Sequence, residues 1–136
     1  MTLHVEVVSP ERILWQGEAD MVTARTLEGG DISFLTGHTP FVGALAIGAV
    51  TIRPPEGGDD VRLAVHGGFV EVSHDRVSIL SDVAELAEHI DVSRAEEALR
   101  RAEAELLGDG SDEAEAARRR ADVRLTVGGT LASGMV

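Results

Sequence analysis

Short apolar runs separated by turn residues make up the N-terminal part of the chain. Leu3, Val5 and Val7 alternate with polar residues, a pattern typical of a strand with one buried face. The same pattern continues to about residue 83, and its separate strand-like runs include 41–46, 49–53, 61–66 and 69–73. Turn signals such as Gly29-Gly30, the stretch 54–60 and Gly67-Gly68 lie between the runs. Because no helical pattern separates the runs, a parallel sheet is not expected. The pattern predicts antiparallel strands folded as a sandwich or a barrel.

From about residue 84 the pattern changes to one rich in Ala, Glu and Arg. Asp91 is an expected N-cap for a helix that continues to Leu107, and Gly108-Asp109-Gly110 ends it. A second helix is expected from Ser111 or Asp112, and a short loop between two helices predicts that they pack antiparallel. Each helix has an alanine-rich apolar stripe: Ala95, Leu99, Ala102 and Leu106 on the first, and Ala114, Ala117, Ala121 and Leu125 on the second.

The strand-like and the helical pattern together predict three segments. A β domain is expected at residues 1–88, a helical hairpin at 89–126, and a flexible Gly- and Ser-rich tail at 127–136. Alanine at the helix contact buries little apolar area, so the hairpin is expected to depend on docking against another surface for its stability.

Composition and charge narrow the function. The 136 residues include 43% hydrophobic residues, enough for a core, and carry a formal net charge of −12. An acidic chain of this kind is not expected to bind nucleic acid, which requires a basic surface. All twelve positive side chains are Arg, and Cys is absent, which excludes Schiff-base lysine chemistry, thiolate metal sites and Cys nucleophiles. No apolar stretch is long enough to span a bilayer, and the N-terminus lacks a signal-peptide core.

Catalytic motifs are not visible in the sequence. The five histidines, His4, His38, His66, His74 and His89, show neither an H-x-H nor an H-E-x-x-H spacing. His66 and His74 are placed where they could face each other across a hairpin, so a cupin-like metal-dependent β-sandwich enzyme stays an alternative. A G-x-S-x-G serine motif is missing as well. The pattern favours a protein that works through its surfaces.

Two segments contain polar and charged residues that the surrounding pattern does not explain. The first, residues 29–41, places Asp31 and His38 among apolar strands and predicts a loop that presents both to a partner. The second, residues 90–95, begins the first helix. Its simpler interpretation is a capped helix with Arg94 on the solvated face. The other interpretation is a phosphate site formed across the hairpin by Arg94, Arg101, Arg120 and Arg124.

Five segments in order along the chain resemble the epsilon subunit of bacterial F-type ATP synthase. They are residues 7–11, 30–40, 64–72, 77–82 and 90–96, and the resemblance extends over about residues 3–126. It implies a fold of all-β plus α class, in which an N-terminal antiparallel β-sandwich of about ten strands precedes a C-terminal antiparallel two-helix hairpin.

The resemblance also implies a function. It is that of a non-catalytic central-stalk subunit, part of the rotor that couples proton-driven rotation of the c-subunit ring to ATP synthesis. The implied partners are the gamma subunit, the c-subunit ring and the alpha/beta catalytic head, with Asp31 and His38 as contact residues. Membrane association would come only through the complex, at the cytoplasmic face of the bacterial cell membrane.

The hairpin is the regulatory part in the family that the chain resembles. It can lie folded on the sandwich or extend into the catalytic head and obstruct ATP hydrolysis. Some members bind ATP through an I/L-D-x-x-R-A motif, which residues 90–95 match in full. The resemblance implies a nucleotide site of Asp91, Arg94, Arg101, Arg120 and Arg124, with ATP as a regulatory ligand, no required cofactor and no metal. A freestanding nucleotide-sensing module without an ATP synthase partner is a further alternative.

Overall fold

The computed structural model describes the backbone of residues 2–134 and the side chains of residues 2–129. Within this range eight strands precede two helices. Two short 3-10 turns, Pro55–Gly57 and Ala87–His89, lie in the connections. The strands are β1 (Leu3–Val8), β2 (Ile13–Ala19), β3 (Met21–Thr26), β4 (Gly30–Phe34), β5 (Phe41–Arg53), β6 (Val61–Ser73), β7 (Arg76–Leu80) and β8 (Ala84–Leu86), and the helices are α1 (Val92–Leu107) and α2 (Asp112–Gly134).

The strands are hydrogen-bonded in the order β2-β1-β7-β6-β5-β3-β4, with β8 also beside β6. The pairs described are antiparallel except β1 with β7, which is parallel. Strands β5 and β6 pair along almost their whole length. The second half of β6 joins β7, and its first half joins β8. The long strands therefore belong to both layers of the sandwich. The sandwich itself was predicted, but the long shared strands were not.

Eight strands are described where the resemblance implies about ten, and two interruptions in the sequence pattern do not end strands. The runs 41–46 and 49–53 are one strand, β5, and the runs 61–66 and 69–73 are another, β6. Gly67 and Gly68, expected to form a turn, lie inside β6 with φ of 86° and 116°. The register of β6 with β5 is the same on both sides of the glycine pair, with His66 opposite Ile47 and Gly68 opposite Leu45. A glycine pair with positive φ thus bends a continuous strand without changing its pairing with β5.

The sandwich has one apolar core between its layers. It is filled by aliphatic side chains, as the low aromatic content predicts, and Phe34 is the largest of the fully buried residues. Each such side chain contributes roughly 1.5–3 kcal/mol when it leaves water. The core residues are Leu3, Val5, Val7, Ala19, Val22, Ala24, Phe34, Leu45, Val50, Ile52, Leu63, Val65, Val70, Val72, Val77 and Ile79. All of them lie before residue 88, so this core does not include the helices.

The helical hairpin begins and turns as predicted. The Asp91 side chain accepts a hydrogen bond from the Arg94 backbone N–H at 3.0 Å, which makes Asp91 the N-cap of α1. The Ser111 hydroxyl accepts a hydrogen bond from the Ala114 N–H at 3.1 Å at the start of α2. The predicted stripes face each other, and their most buried members are Ala95, Ala102, Ala114 and Ala121.

Helix α2 docks on the outer face of β5 and β6 through a small apolar cluster. Val123 and Val127 pack with Ala64 of β6, and further apolar residues surround them: Ile47, Ala49, Ala87 and Ile90. This cluster is separate from the sandwich core. The hairpin is therefore held on the sandwich by a contact that is small compared with the core.

The tail predicted from residue 127 needs correction. Helix α2 continues to Gly134, and Val127, which belongs to this helix, is fully buried. Docking explains the difference, because burial of Val127 stabilises helical turns that Gly128 and Gly129 alone would disfavour. Residues 135–136, the end of the predicted tail, lie outside the described residues.

Candidate functional site

A cavity of about 480 Å³ opens where the hairpin meets the sandwich. Its volume falls within the range typical of small-molecule sites. Helix α1, helix α2 and the segment from β8 to the start of α1 all contribute side chains. The lining residues are Glu85, His89, Asp91, Arg94, Ala95, Ala98, Arg101 and Arg124.

The cavity brings together four of the five residues predicted for a nucleotide site, namely Asp91, Arg94, Arg101 and Arg124. Arg120 is the exception and does not line it. Its guanidinium group is ion-paired with Glu113 at 2.8 Å. The prediction expected Arg120 to converge with the other arginines across the hairpin, but Glu113 lies two turns before Arg120 on the same face and holds its side chain.

Helix geometry places Arg94 and Arg101 on one side of α1. They are seven residues apart, which is close to two helical turns. Among the described residues, neither guanidinium group has an acidic partner within ion-pairing distance, and both side chains are exposed. Asp91 uses a carboxylate oxygen to cap the helix. The cavity therefore presents Arg94 in the first turn of α1, where anions are favoured, and Arg101 two turns further along the helix.

Arg124 enters the cavity from α2 and is paired with the sandwich. Its Nε donates to Glu85 Oε1 at 2.7 Å, and His66 Nε2 lies 3.0 Å from the same oxygen. Burial raises the pKa of Glu85, but the hydrogen bonds from Arg124 and His66 outweigh it and lower this pKa below its ordinary value of 4.5. Glu85 is therefore a carboxylate at neutral pH and neutralises Arg124.

The charges allow a polyphosphate to bind. Three guanidinium groups face two carboxylates in the cavity, and Arg94 and Arg101 need no existing ion pair to be broken. Arginine binds phosphate oxygens through paired N–H groups, and such charge-assisted hydrogen bonds are the strong ones. A phosphate group that reached Arg124 would compete with Glu85 for the same guanidinium.

Asp31 and His38 lie at different ends of β4 and do not form one loop. Asp31 is in the strand opposite Arg25, and two hydrogen bonds of 3.1 and 3.2 Å join their side chains. The expectation of a single loop presenting both residues is therefore wrong, because the run that contains Asp31 pairs with β3. Asp31 remains exposed, and its contact with a partner stays a prediction.

His38 lies in the loop between β4 and β5 and is half-buried. Its ring meets the edges of Phe34 and Phe41, with centroid distances of 5.0 and 6.3 Å. The loop is tied to the β6–β7 turn by a hydrogen bond of 2.7 Å from the Gly37 N–H to Asp75. This loop is thus an ordered part of the sandwich surface, and its contact with a partner also stays a prediction.

The histidines do not gather into a metal site among the residues that the structure describes. No group of three or more His, Asp, Glu or Cys side chains is arranged to hold a metal ion in that range. His66 lies next to β8 and pairs with Glu85, whereas His74 is in the β6–β7 turn, so the two do not face each other. As for membrane spans, no helix of the described part has both the length and the apolar character required.

Sequence reasoning missed Glu85 and His66 as parts of the site. In the sequence, nothing distinguishes Glu85 from the rest of the 24 acidic residues. His66 was noted only as a possible metal ligand. Their pairing depends on β8 lying against β6, where Ala64 is opposite Glu85. No periodicity in the sequence indicates that pairing.

Comparisons with known proteins identify both parts of the chain. The family model described as ATP synthase, Delta/Epsilon chain, beta-sandwich domain matches residues 2–87. The model described as ATP synthase, Delta/Epsilon chain, long alpha-helix domain matches residues 88–129. Together they extend over nearly the whole chain. They give no support to a cupin-like enzyme.

Curated relatives agree with the family models. The ATP synthase epsilon chain of Thermobifida fusca is 53% identical over 125 residues, which are 90% of each chain. That of Streptomyces griseus is 52% identical over 123 residues, 90% of this chain and 92% of the relative.

Two solved structures have the same fold. A chain in the cryo-EM structure of the Euglena gracilis mitochondrial ATP synthase OSCP/F1/c-ring matches with a TM-score of 0.71 and 25% identity, over 99% of this chain and 82% of that one. A chain in the Tetrahymena thermophila ATP synthase central stalk and c-ring matches with a TM-score of 0.64 over 94% and 97%, and at 14% identity this likeness concerns the fold alone. The chain therefore belongs to the family of ATP synthase epsilon chains.

Proposed function

We propose that this chain is a non-catalytic subunit of the ATP synthase central stalk and that its hairpin is a movable regulatory arm. The sandwich binds the gamma subunit and the c-subunit ring and transmits proton-driven rotation. The complex holds it at the cytoplasmic face of the cell membrane. The observation that carries the proposal is the small, separate contact between α2 and a sandwich that has its own core.

An exposed apolar row on the sandwich supports a permanent protein partner. Phe69 and Leu80 are paired across β6 and β7, and Val42 lies nearby on β5. Their exposed fractions are 58%, 46% and 70%. Large apolar side chains grouped on an outer sheet face mark a protein interface. We assign this row to the gamma subunit.

Phe69→Asp is expected to weaken binding of the gamma subunit by about tenfold or more, because an aromatic anchor at an interface contributes about 2 kcal/mol or more. The chain itself should stay folded, since the Phe69 side chain is exposed. Leu107→Asp is the control, because Leu107 is 91% exposed at the end of α1, outside the row. Surface-immobilised gamma subunit gives both affinities, and equal binding by the two variants would contradict the assignment.

The cavity at the hairpin supports ATP as a regulatory ligand. A polyphosphate that contacts Arg94 and Arg101 on α1 and Arg124 on α2 would connect the two helices with each other. The site would then exist only while the helices are packed together as a hairpin. A ligand with this preference stabilises the folded hairpin by mass action. ATP would thereby keep the arm away from the catalytic head.

Arg94→Ala is expected to weaken ATP binding to the isolated chain by about tenfold or more, the loss typical of one charge-assisted hydrogen bond. Arg100→Ala is the matched control, because Arg100 is an exposed neighbour on α1 that does not line the cavity. Calorimetric titration with ATP at up to millimolar concentration measures both. An absence of heat with the parent chain, or the same affinity in both variants, would remove the nucleotide from the proposal.

A further inference from the structure

A cluster of three side chains joins the hairpin to the sandwich beside the apolar contact. His66 comes from β6, Glu85 from β8 and Arg124 from α2. One carboxylate oxygen, Glu85 Oε1, accepts from both Arg124 Nε at 2.7 Å and His66 Nε2 at 3.0 Å. The strength of the Arg124–Glu85 ion pair, which holds the hairpin, therefore depends on the protonation state of a buried histidine.

The surroundings of His66 favour its neutral form. The side chain is 3% exposed, and among the described residues Nδ1 has no hydrogen-bond partner. Since the Glu85 carboxylate only accepts hydrogen bonds, Nε2 carries the proton, and Nδ1 is an unprotonated acceptor. Protonation of Nδ1 would create a buried N–H group without a partner on a charged ring. Its free-energy cost is larger than that of an unpaired acceptor on a neutral ring.

The charges that face His66 come from two elements. Strand β8 provides Glu85, and helix α2 provides Arg124 and Arg120. The cross-strand neighbour on β5 is Ile47, which is uncharged. A proton on His66 would thus meet one carboxylate that attracts it and two arginines that repel it.

We propose that His66, Glu85 and Arg124 form an acid-released latch, in which protonation of His66 detaches the hairpin from the sandwich. Ala64 and His66 lie on the same outer face of β6, two residues apart, and Ala64 is covered by Val123 and Val127 of α2. Departure of α2 would take away both arginines and open this face to water. Proton uptake by His66 and release of the hairpin therefore favour each other.

The direction of the pH effect follows from linkage. Burial is the largest cause that lowers the pKa of His66 in the docked state, with Arg124 and Arg120 adding to it against the opposing effect of Glu85. In the released state the pKa returns towards its ordinary value of 6.5. Docking is therefore strongest above that value and weakens as the pH falls through it, because the released state binds the extra proton. This inference needs no nucleotide and goes beyond the proposed regulatory ATP.

The test uses the full chain in nucleotide-free buffer. Because the sequence contains no cysteine, Asp59→Cys in the β5–β6 connection and Asp109→Cys between the helices can carry a pair of spin labels. Pulsed electron paramagnetic resonance then gives the docked fraction between about pH 8 and about pH 5, the range in which histidine titrates. Fluorescence of Trp15, the single tryptophan, which packs against the sandwich core, shows that the sandwich stays folded.

The ratio of docked to released chains is expected to fall several-fold from the higher to the lower pH. His66→Gln, which retains a side-chain donor for Glu85 but does not titrate in this range, should abolish the change. His74→Asn is the control and should keep it, because His74 lies in an exposed turn at φ 52°, which Asn tolerates.

Three results would overturn the latch. One is a docked fraction in the parent that does not change with pH, and another is the same pH dependence in His66→Gln. The third is loss of docking at every pH in both His66→Gln and a second variant, His66→Asn. That result would make His66 a structural contact and not a titrating one.

Discussion

Gly68→Ala is expected to destabilise the sandwich by about 4 kcal/mol or more, at the upper end of what single substitutions cause. A Cβ atom at this position would lie 2.0 Å from the backbone oxygen of Leu80 and 3.0 Å from the Cα of Ser81. Both are main-chain atoms, so a side-chain rotation cannot relieve the contact. The φ of 116° adds a conformation that L-residues rarely adopt.

Gly67→Ala is the matched control for this prediction. Its φ of 86° is also positive, but the nearest atom to a Cβ there is the Leu45 oxygen at 3.9 Å. The substitution therefore has only the conformational cost, about 1–2 kcal/mol. Guanidinium unfolding followed by Trp15 fluorescence compares the two variants. Equal losses would show that the close approach of β6 to Leu80 does not determine the fold.

The bend at Gly67 and Gly68 divides β6 into two halves, and we assign a different functional surface to each. Before the bend, His66 and Ala64 lie under the docked hairpin. After it, Phe69 lies on the exposed apolar row. A single strand thus connects the surface assigned to the gamma subunit with the surface that holds the arm.

Much of the fold follows from local patterns in the sequence. Alternation at Leu3, Val5 and Val7 correctly predicts buried positions of β1, and the alanine stripes predict how the helices meet. The N-cap at Asp91 depends only on neighbouring residues, which explains why it was predictable. The continuity of β6 was not predictable, because a glycine pair is typical of turns as well as of bends inside a strand. Which of the two forms depends on the strands that pair on either side.

The candidate site was predictable only where its residues share one helix or one motif. Asp91, Arg94 and Arg101 have fixed helical spacings, so their convergence could be expected. Glu85 and His66 meet across a strand pair 19 residues apart in sequence, which no pattern indicates. The end of α2 was missed for a similar reason, because burial of Val127 against the sandwich is a long-range effect.

Removal of the hairpin is expected to change the activity of the assembled enzyme more than any single substitution. A chain that ends at Glu88 keeps every residue of the sandwich core and the exposed apolar row, so it should still fold and bind the gamma subunit. It loses both helices, and with them the arm that we propose obstructs the catalytic head. Coupling through the sandwich should remain, whereas inhibition should not.

The decisive measurement is the rate of ATP hydrolysis by the complex reconstituted with the full chain and with the chain that ends at Glu88, at low ATP and at equal occupancy of the subunit. We expect hydrolysis to be several-fold faster with the shortened chain, because it lacks the arm that we propose to be inhibitory. Equal rates would contradict a regulatory hairpin and leave the sandwich as the sole functional part.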